Sequence, residues 1–186
     1  QEFTQLLAVQ PIGRPAILSG RMLALAAALV VAQVFGLGLP LLVHAPGLPA
    51  LLLFVNGTVL AVVFMALGTL ISLKQRDKAR GVGIGLGVWF LFVLVYDALL
   101  MAFMFAFSDR PIEPFVVPLA ALNPIDLARI SVMLRVDLAA MMGYSGAVYK
   151  DLFGSTIGIL IAMAVMALWI VWPTAWAFRS FRRKDL

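Results

Sequence analysis

Residues 82–107 read VGIGLGVWFLFVLVYDALLMAFMFAF, an apolar run whose single charged residue is Asp97. A helix needs about 20 apolar residues to cross a hydrocarbon core about 30 Å thick, so this run is long enough to span a membrane. Three other runs in the chain have the same character. The four predicted membrane spans are Met22–Val43, Pro49–Leu73, Val82–Phe107 and Gly154–Phe178.

The composition of the whole chain is that of a membrane protein. Of its 186 residues, 63% are hydrophobic, and the mean hydropathy is +1.06, which is too apolar for a soluble domain of this length. No span has the charged start and small-residue cleavage site of a signal peptide. The expected fold is an all-α membrane bundle of helices. Because the chain begins without methionine, we expect further helices before residue 1.

The basic residues cluster on one predicted side of the membrane. If residue 1 is cytoplasmic, ten of the fourteen lysines and arginines lie in cytoplasmic segments, and the outer segments carry a small negative charge. Such an asymmetry follows the positive-inside rule. The net charge of +5 therefore indicates topology and argues against nucleic acid as a partner. It predicts a multi-pass protein of the cell inner membrane with both ends in the cytoplasm.

The residue types exclude several kinds of catalytic or metal site. The chain has no cysteine and one histidine, His44, which we expect to be a loop residue of the outer hairpin. The nine methionines could bind Cu(I), but thioethers more often fill apolar gaps. No phosphate-binding G-x-x-x-x-G-K-[ST] motif occurs. We therefore expect no catalytic residue, metal site or cofactor in this chain.

Glycines at alternate positions mark the start of the third span. Their spacing does not fit the dinucleotide-binding G-x-G-x-x-G motif. The pairs Gly81/Gly85 and Gly83/Gly87 instead match the small-xxx-small pattern that lets membrane helices approach closely. The same pattern recurs in the last span at Gly154, Gly158 and Ala162. We interpret both sets as packing faces rather than hinges.

Three polar residues, Gln33, Asn56 and Asp97, lie within the predicted spans. A charged side chain at the centre of a membrane helix costs about 2.5–3.5 kcal/mol on insertion scales, so each needs a partner. Asn56 and Asp97 should lie at similar depth. Because the spans contain no second acid and no base near Asp97, a hydrogen-bonded structural role is favoured there. A proton or cation step is the alternative.

The long outer segment, residues 108–153, contains its own helix signals. Asn123 is a suitable N-cap, Pro124 suits the first helical position, and Gly143 is a terminator. Apolar residues at helical spacing form two stripes separated by charged residues. One stripe comprises Leu127, Ile130, Leu134, Leu138 and Met141, and the other comprises Ile125, Val132 and Val136.

A helix with two apolar stripes and charged seams suits a position between two bodies. We expect the Leu127 stripe to pack on the spans and the polar residues to lie at the rim of a contact with a periplasmic protein. These polar residues are Asp126, Arg129, Ser131, Arg135 and Asp137. The alternative is a helix that lies on the membrane surface.

The first 21 residues form a separate unit. A short amphipathic helix carries Phe3, Leu6 and Leu7 on one side and Glu2 and Gln5 between them. Pro11 should break this helix, and Pro15 should start the one that enters the membrane. A cytoplasmic helix joined by an elbow to a span can transmit a push from a partner.

These elements resemble the coupling segment of ABC-2-type permeases. The acid-containing helix with Leu6–Leu7 is followed by the turn QPIGR and by ILSGR at the start of a span. The later spans, NPIDLARISVMLRVDLAAMMGYSGAVY and the basic tail resemble the NosY family. Permeases of that family serve transporters that mature the copper sites of nitrous-oxide reductase in denitrification.

The resemblance covers essentially the whole chain and implies a six-span, type V exporter-like subunit, of which four spans are present. The domains would be residues 1–21 (coupling helix and elbow), 22–107 (three spans), 108–153 (periplasmic helices) and 154–186 (last span and basic tail). The opening departs from the commoner ERE-x-G pattern.

The implied partners are a NosF-like ABC ATPase, a NosD-like periplasmic protein and a second copy of the chain. ATP and Mg²⁺ would bind in the ATPase. Contacts with it would be made by Glu2, Phe3, Gln5, Leu6, Leu7 and Arg14. The implied function is a non-catalytic permease that relays ATP-driven motion in support of copper-site assembly. The alternatives are an exporter of a lipid, polysaccharide or drug, and an intramembrane metal-binding or redox anchor.

Overall fold

The structure, a computed structural model, describes residues 13–107, 109, 113–133 and 156–182. Eight α-helices occur in these ranges, and π-helical turns interrupt two of the spans. The helices are α1 (Arg14–Gln33), α2 (Leu39–His44), α3 (Leu48–Lys74), α4 (Lys78–Phe90), α5 (Tyr96–Ala106), α6 (Glu113–Ala121), α7 (Pro124–Met133) and α8 (Thr156–Arg182). The π-helical turns are Val34–Gly38 and Leu91–Val95.

The four predicted spans are confirmed. Among the described residues, four helical stretches are long and apolar enough to cross a membrane: Pro15–His44, Leu48–Lys74, Lys78–Ala106 and Ala162–Arg182. The protein is therefore a multi-pass membrane protein. The first span begins earlier than the predicted Met22, because Pro15 stands in the first turn of α1, where its missing N–H costs nothing. The predicted helix start at Pro15 is thus confirmed to within one residue.

The first and second spans pack closely at two glycines. The Gln33 side chain donates to the carbonyl oxygen of Phe54 at 3.5 Å, and a Cβ at Gly57 would lie 2.5 Å from Gln33 Nε2. A Cβ at Gly38 would lie 3.2 Å from the Phe54 ring. Absence of side chains at these glycines therefore allows the close approach and the hydrogen bond of Gln33.

The predicted glycine face of the third span does not pack within the described part of the chain. Additional Cβ atoms at Gly83, Gly85 and Gly87 would meet nothing within 4 Å, and one at Gly81 would lie 3.7 Å from Gln75. Within the described residues, no side chain of α4 is buried, so its glycines face no closely packed neighbour there. Of the second predicted face, Ala162 is buried in the core.

Helices α6 and α7 form a hairpin, Glu113–Met133, that folds back along the spans. At its tip, Asn123 Nδ2 donates to the carbonyl oxygen of Phe92 at 2.8 Å. Phe92 is the midpoint of the third span, Lys78–Ala106, which places it about 21 Å from either end at 1.5 Å per residue. The tip of the hairpin therefore lies level with the middle of the third span.

This packing differs from what was expected of the outer segment. The tip of the hairpin lies beside the middle of the third span rather than beyond its end. The Leu127 stripe does pack on the spans as predicted, since Leu127 is fully buried; Leu134 and Leu138 lie outside the described residues. The core around the hairpin comprises Val116, Ala120, Leu127, Ala128, Ile130, Ala162 and Met166, with Val59, Leu60, Leu100, Phe103, Met104, Ala121 and Val165 against it.

Candidate functional site

Asn123 ties the hairpin to the third span and starts α7. The backbone N–H of Ile125 donates to Asn123 Oδ1 at 3.0 Å, which confirms the predicted N-cap and the position of Pro124 as the first helical residue. The Asn123 amide donates to Phe92 and to Asp126 Oδ2, the latter at 2.9 Å. One fully buried side chain therefore satisfies the helix end, a carbonyl in the π-helical turn and a carboxylate.

The π-helical turn Leu91–Val95 explains why a carbonyl is available in mid-span. A π turn replaces i→i+4 bonds with i→i+5 bonds, so the regular pattern of acceptors is locally interrupted. Phe92 lies within this turn and accepts the Asn123 amide. One turn further along, the hydroxyl of Tyr96 donates to the carbonyl oxygen of Leu119 in α6. Both arms of the hairpin are thus bonded to the third span.

Arg129 is the basic partner of Asp97. Its Nη1 donates to Asp97 Oδ2 at 3.0 Å and its Nη2 to Asp97 Oδ1 at 3.3 Å. The same Nη2 donates to Asp126 Oδ1 at 2.7 Å. The expectation that Asp97 lacks both a basic partner and a second acid is therefore wrong. Both groups come from α7, which the sequence places outside the spans.

Asp126 is buried inside the chain, at 1% exposure, so the expectation that it lies at the rim of a partner contact is wrong. Burial, the largest cause, and the hydrogen-bonding Asp97 carboxyl raise the pKa of Asp126 from 3.8 to about 6, although Arg129 and Asn123 oppose them. Burial therefore favours the protonated form of Asp126 relative to that of an exposed carboxyl group.

The other residues of the predicted outer interface differ from Asp126 in exposure and in hydrogen bonding. The Arg129 side chain is 45% exposed and Ser131, half-buried, donates to the carbonyl oxygen of Leu127 at 2.6 Å. Arg135 and Asp137 lie outside the described residues. A contact of this region with a periplasmic protein stays a prediction.

The side-chain amides of Asn56 and Gln33 donate hydrogen bonds to backbone carbonyl oxygens. Asn56 Nδ2 donates to Leu52 at 2.9 Å within its own helix, and Gln33 bonds to Phe54. Asn56 is eight residues from the start of α3 and Asp97 nine from the end of α5, so their predicted similarity in depth is consistent with the helix bounds. Their hydrogen bonds nevertheless go to different partners, because α7 supplies the partner of Asp97.

Most of the predicted ATPase-coupling residues lie outside the part of the chain that the structure describes. Glu2, Phe3, Gln5, Leu6 and Leu7 lie outside the described residues, and Arg14 is the first residue of α1. Their role stays a prediction.

Two contacts at the basic end of the bundle were not predicted from the sequence. Lys74 Nζ lies 3.5 Å from the centroid of the Trp176 ring, and Asp77 caps α4 by accepting from the N–H of Ala79 at 3.0 Å.

Groups of three or more His, Cys, Asp or Glu side chains that could hold a metal ion do not occur in the described part of the chain. His44 is exposed at the end of α2, with Nδ1 3.0 Å from the carbonyl oxygen of Pro40. The candidate site is therefore the polar cluster of Tyr96, Asp97, Asn123, Asp126 and Arg129. Its chemistry is that of hydrogen bonding, ion pairing and proton exchange.

Comparisons with known proteins place the whole arrangement in a family. The family described as ABC-2 family transporter protein matches residues 4–186. The chain is 31% identical over 192 residues to the probable ABC transporter permease protein NosY of Stutzerimonas stutzeri, covering 96% of this chain and 67% of that protein. It is 32% identical over 192 residues to the protein of the same name from Pseudomonas aeruginosa, covering 97% and 68% respectively. The chain therefore belongs to the ABC-2 family of transporter proteins and, within it, is a relative of the NosY permeases.

Proposed function

We propose that this permease relays motion from a separate ABC ATPase to a periplasmic protein, and that the relay supports copper-site assembly in nitrous-oxide reductase. The ATPase would bind ATP and Mg²⁺, since the chain carries no phosphate-binding loop. The permease would work as a homodimer in the cell inner membrane, with both ends of this chain in the cytoplasm. The basic residues at one end of the bundle support that orientation.

The observation that carries the proposal is the double attachment of the hairpin. Asn123 and Arg129 of the hairpin bond to the third span, and Tyr96 of that span donates to the Leu119 carbonyl oxygen of the hairpin. The apolar face of the hairpin packs against residues of the second, third and fourth spans. Close-packed cores transmit displacement because they have few voids to absorb it. A shift of the spans driven from the cytoplasmic side would therefore move the hairpin and whatever the outer segment binds.

The copper-related part of the proposal comes from likeness to NosY and from the family resemblance in the outer segment. The NosF-like ATPase and the NosD-like periplasmic protein follow from the same likeness. No direct copper site in this chain is required, because the permease would supply motion rather than ligands.

The relay proposal is tested by disrupting the expected contact with the ATPase at the cytoplasmic end of the chain. We expect the double substitution Leu6→Asp and Leu7→Asp to abolish copurification of the ATPase, because charges would enter an apolar docking contact, while membrane insertion stays intact. The matched control is Gln10→Asp, which adds a charge at a polar position of the same predicted helix that is not among the expected ATPase contacts. Retained ATPase binding in the double variant would contradict the assignment.

The functional readout is the copper content of nitrous-oxide reductase produced in cells that carry each variant. The double variant should lower it to the level of a strain without the ATPase, and Gln10→Asp should leave it unchanged. Normal copper content in the double variant would count against the copper-related part alone.

Export of a lipid is the second candidate, and one feature favours it. An apolar groove of about 250 Å³ opens between the first and second spans, lined by Val34, Gly38, Leu39, Leu41, Leu42, Gly47, Ala50, Leu51 and Phe54. Such a groove could take an acyl chain. ATP-dependent movement of a labelled lipid between leaflets by the reconstituted complex would favour export, whereas ATP hydrolysis without lipid movement would favour the relay.

A further inference from the structure

Two carboxylates and one guanidinium meet where the hairpin touches the third span. Asp97 and Asp126 both accept from Arg129, so the cluster carries a net charge of −1 when both acids are ionised. A net charge is costly in a surrounding of low dielectric constant. One bound proton makes the cluster neutral, with Arg129 balancing the remaining carboxylate.

Asp126 is the acid that should hold this proton. Asp97 receives a hydrogen bond from each terminal nitrogen of Arg129, the arrangement that most favours a carboxylate. Asp126 receives only one, from Nη2. The side chain of Asp126 is also far less exposed than that of Asp97, 2% against 26%, and burial disfavours the ionised form.

Among the described residues, the other groups around Asp126 do not supply a second positive charge. Asn123 donates an amide hydrogen, and Tyr96 of the third span is a further titratable group near Asp126 in the described chain. The second and fourth spans contribute apolar side chains to the same core, namely Val59, Leu60, Ala162, Val165 and Met166. Within the described residues, Arg129 is thus the one cation for two acids.

We propose that this cluster is a proton-binding site, in which Asp126 holds one exchangeable proton while the hairpin is seated between the spans and releases it to water when the hairpin moves out. The step breaks one carboxyl O–H bond, leaves a carboxylate and gives the proton to water. The proposal rests on the geometry of the hairpin and does not require the proposed relay or its partners.

The sign of the pH dependence follows from the two states of Asp126. The seated pKa of Asp126 is about 6, against an ordinary value of 3.8 in water, so the seated hairpin binds the proton more tightly than the released one. Opening should become more favourable as pH rises from about 4 to about 6 and should level off above that. The total change in the opening equilibrium is at most about a hundredfold.

Hydrogen exchange measures this opening directly. The full-length complex, held in nanodiscs of zwitterionic lipid, should be followed at the backbone amides of residues 113–133 over a pH series, with rates corrected for intrinsic exchange. We expect the corrected opening to rise tenfold to about a hundredfold across the stated window. Corrected rates that do not change with pH would overturn the proposal.

Asp126→Asn separates proton binding from a purely structural role. Asparagine keeps one of the two acceptor oxygens of Asp126 and cannot titrate, so the hairpin should stay protected at every pH and lose its pH dependence. Asp109→Asn, a change at an exposed acid before the hairpin, should behave as the unchanged protein does. If Asp126→Asn instead loses protection equally at every pH, the carboxylate is structural and the proposal fails.

Infrared difference spectroscopy gives a second test on the unchanged protein. A protonated-carboxyl C=O band should lose intensity as pH rises through about 6 and should be missing in Asp126→Asn. Absence of any titrating carboxyl band in the unchanged protein would contradict the site even if the variant did not fold. Neither result changes what is expected of ATPase copurification. Failure of the proton-site proposal can therefore be told apart from failure of the relay proposal.

Discussion

The two halves of the third span have similar apolar sequences and opposite surroundings. Helix α5 carries Tyr96 and Asp97, both bonded to the hairpin, whereas the glycines at 83, 85 and 87 in α4 meet nothing within 4 Å in the described chain. The π-helical turn Leu91–Val95 separates the two halves. Both halves are apolar, so apolar character does not distinguish them. The half that is attached to its own chain is the one whose polar side chains have hydrogen-bonding partners there.

The largest effect should come from Asn123→Ala at the junction of hairpin and span. The change leaves the Phe92 carbonyl, the Ile125 N–H and Asp126 without the amide, and buried unsatisfied groups cost about 1–3 kcal/mol each. We expect the purified protein to lose roughly 2–4 kcal/mol of unfolding free energy.

Asn56→Ala is the matched control for this change, since within the described residues the Asn56 side chain bonds to its own helix. The two variants should be compared by reversible unfolding in the same detergent. Equal losses would mean that the hairpin junction contributes no more than a local side-chain contact.

A smaller and pH-dependent effect should follow from Arg129→Gln. Removing the guanidinium leaves Asp97 and buried Asp126 without their cation, which should cost roughly 2–3 kcal/mol because Arg129 is partly exposed and the pair is partly screened. The loss should be greatest above about pH 6 and smaller below it, where Asp126 binds a proton.

Unfolding at several pH values checks this expectation, and Arg76→Gln in the exposed loop at the basic end serves as the control. A loss for Arg129→Gln that is the same at all pH values would contradict the assigned state of Asp126.

The result also bears on the outer interface, because Arg129→Glu would place three carboxylates together. Weaker partner binding by that variant would therefore not prove a direct contact.

The smallest effect is expected for Gly85→Ala in the other half of the span. Nothing lies within 4 Å of the added Cβ, and alanine is favoured over glycine in a helix by about 1 kcal/mol. Unfolding free energy of the monomeric protein should be unchanged or slightly higher. Gly57→Ala is the contrasting variant, since its Cβ would clash with Gln33. A clear loss for Gly85→Ala together with loss of the dimer would assign this face to a contact between chains.

Sequence alone was sufficient for the spans and for the start of α7. Length and apolar character predict the four helices, and Asn123 and Pro124 predict a cap that the structure contains. The ion pair of Asp97 could not be predicted from the sequence, because its partner lies 32 residues away in a segment whose charges indicate an exposed position. Helix α6 was also missed, since Pro118 within it normally disfavours a helix.

The central claim is that the hairpin tip reaches half the depth of the bilayer, and a spin label at its tip tests that claim most directly. Leu122 adjoins Asn123 and is 57% exposed, and the chain has no native cysteine. Labelled Leu122→Cys should be compared with Leu91→Cys at mid-span and with Asp109→Cys before the hairpin. The ratio of collision with oxygen to collision with a water-soluble nickel chelate reports depth. We expect residue 122 to match residue 91; a match with residue 109 would place the hairpin at the surface and contradict the account.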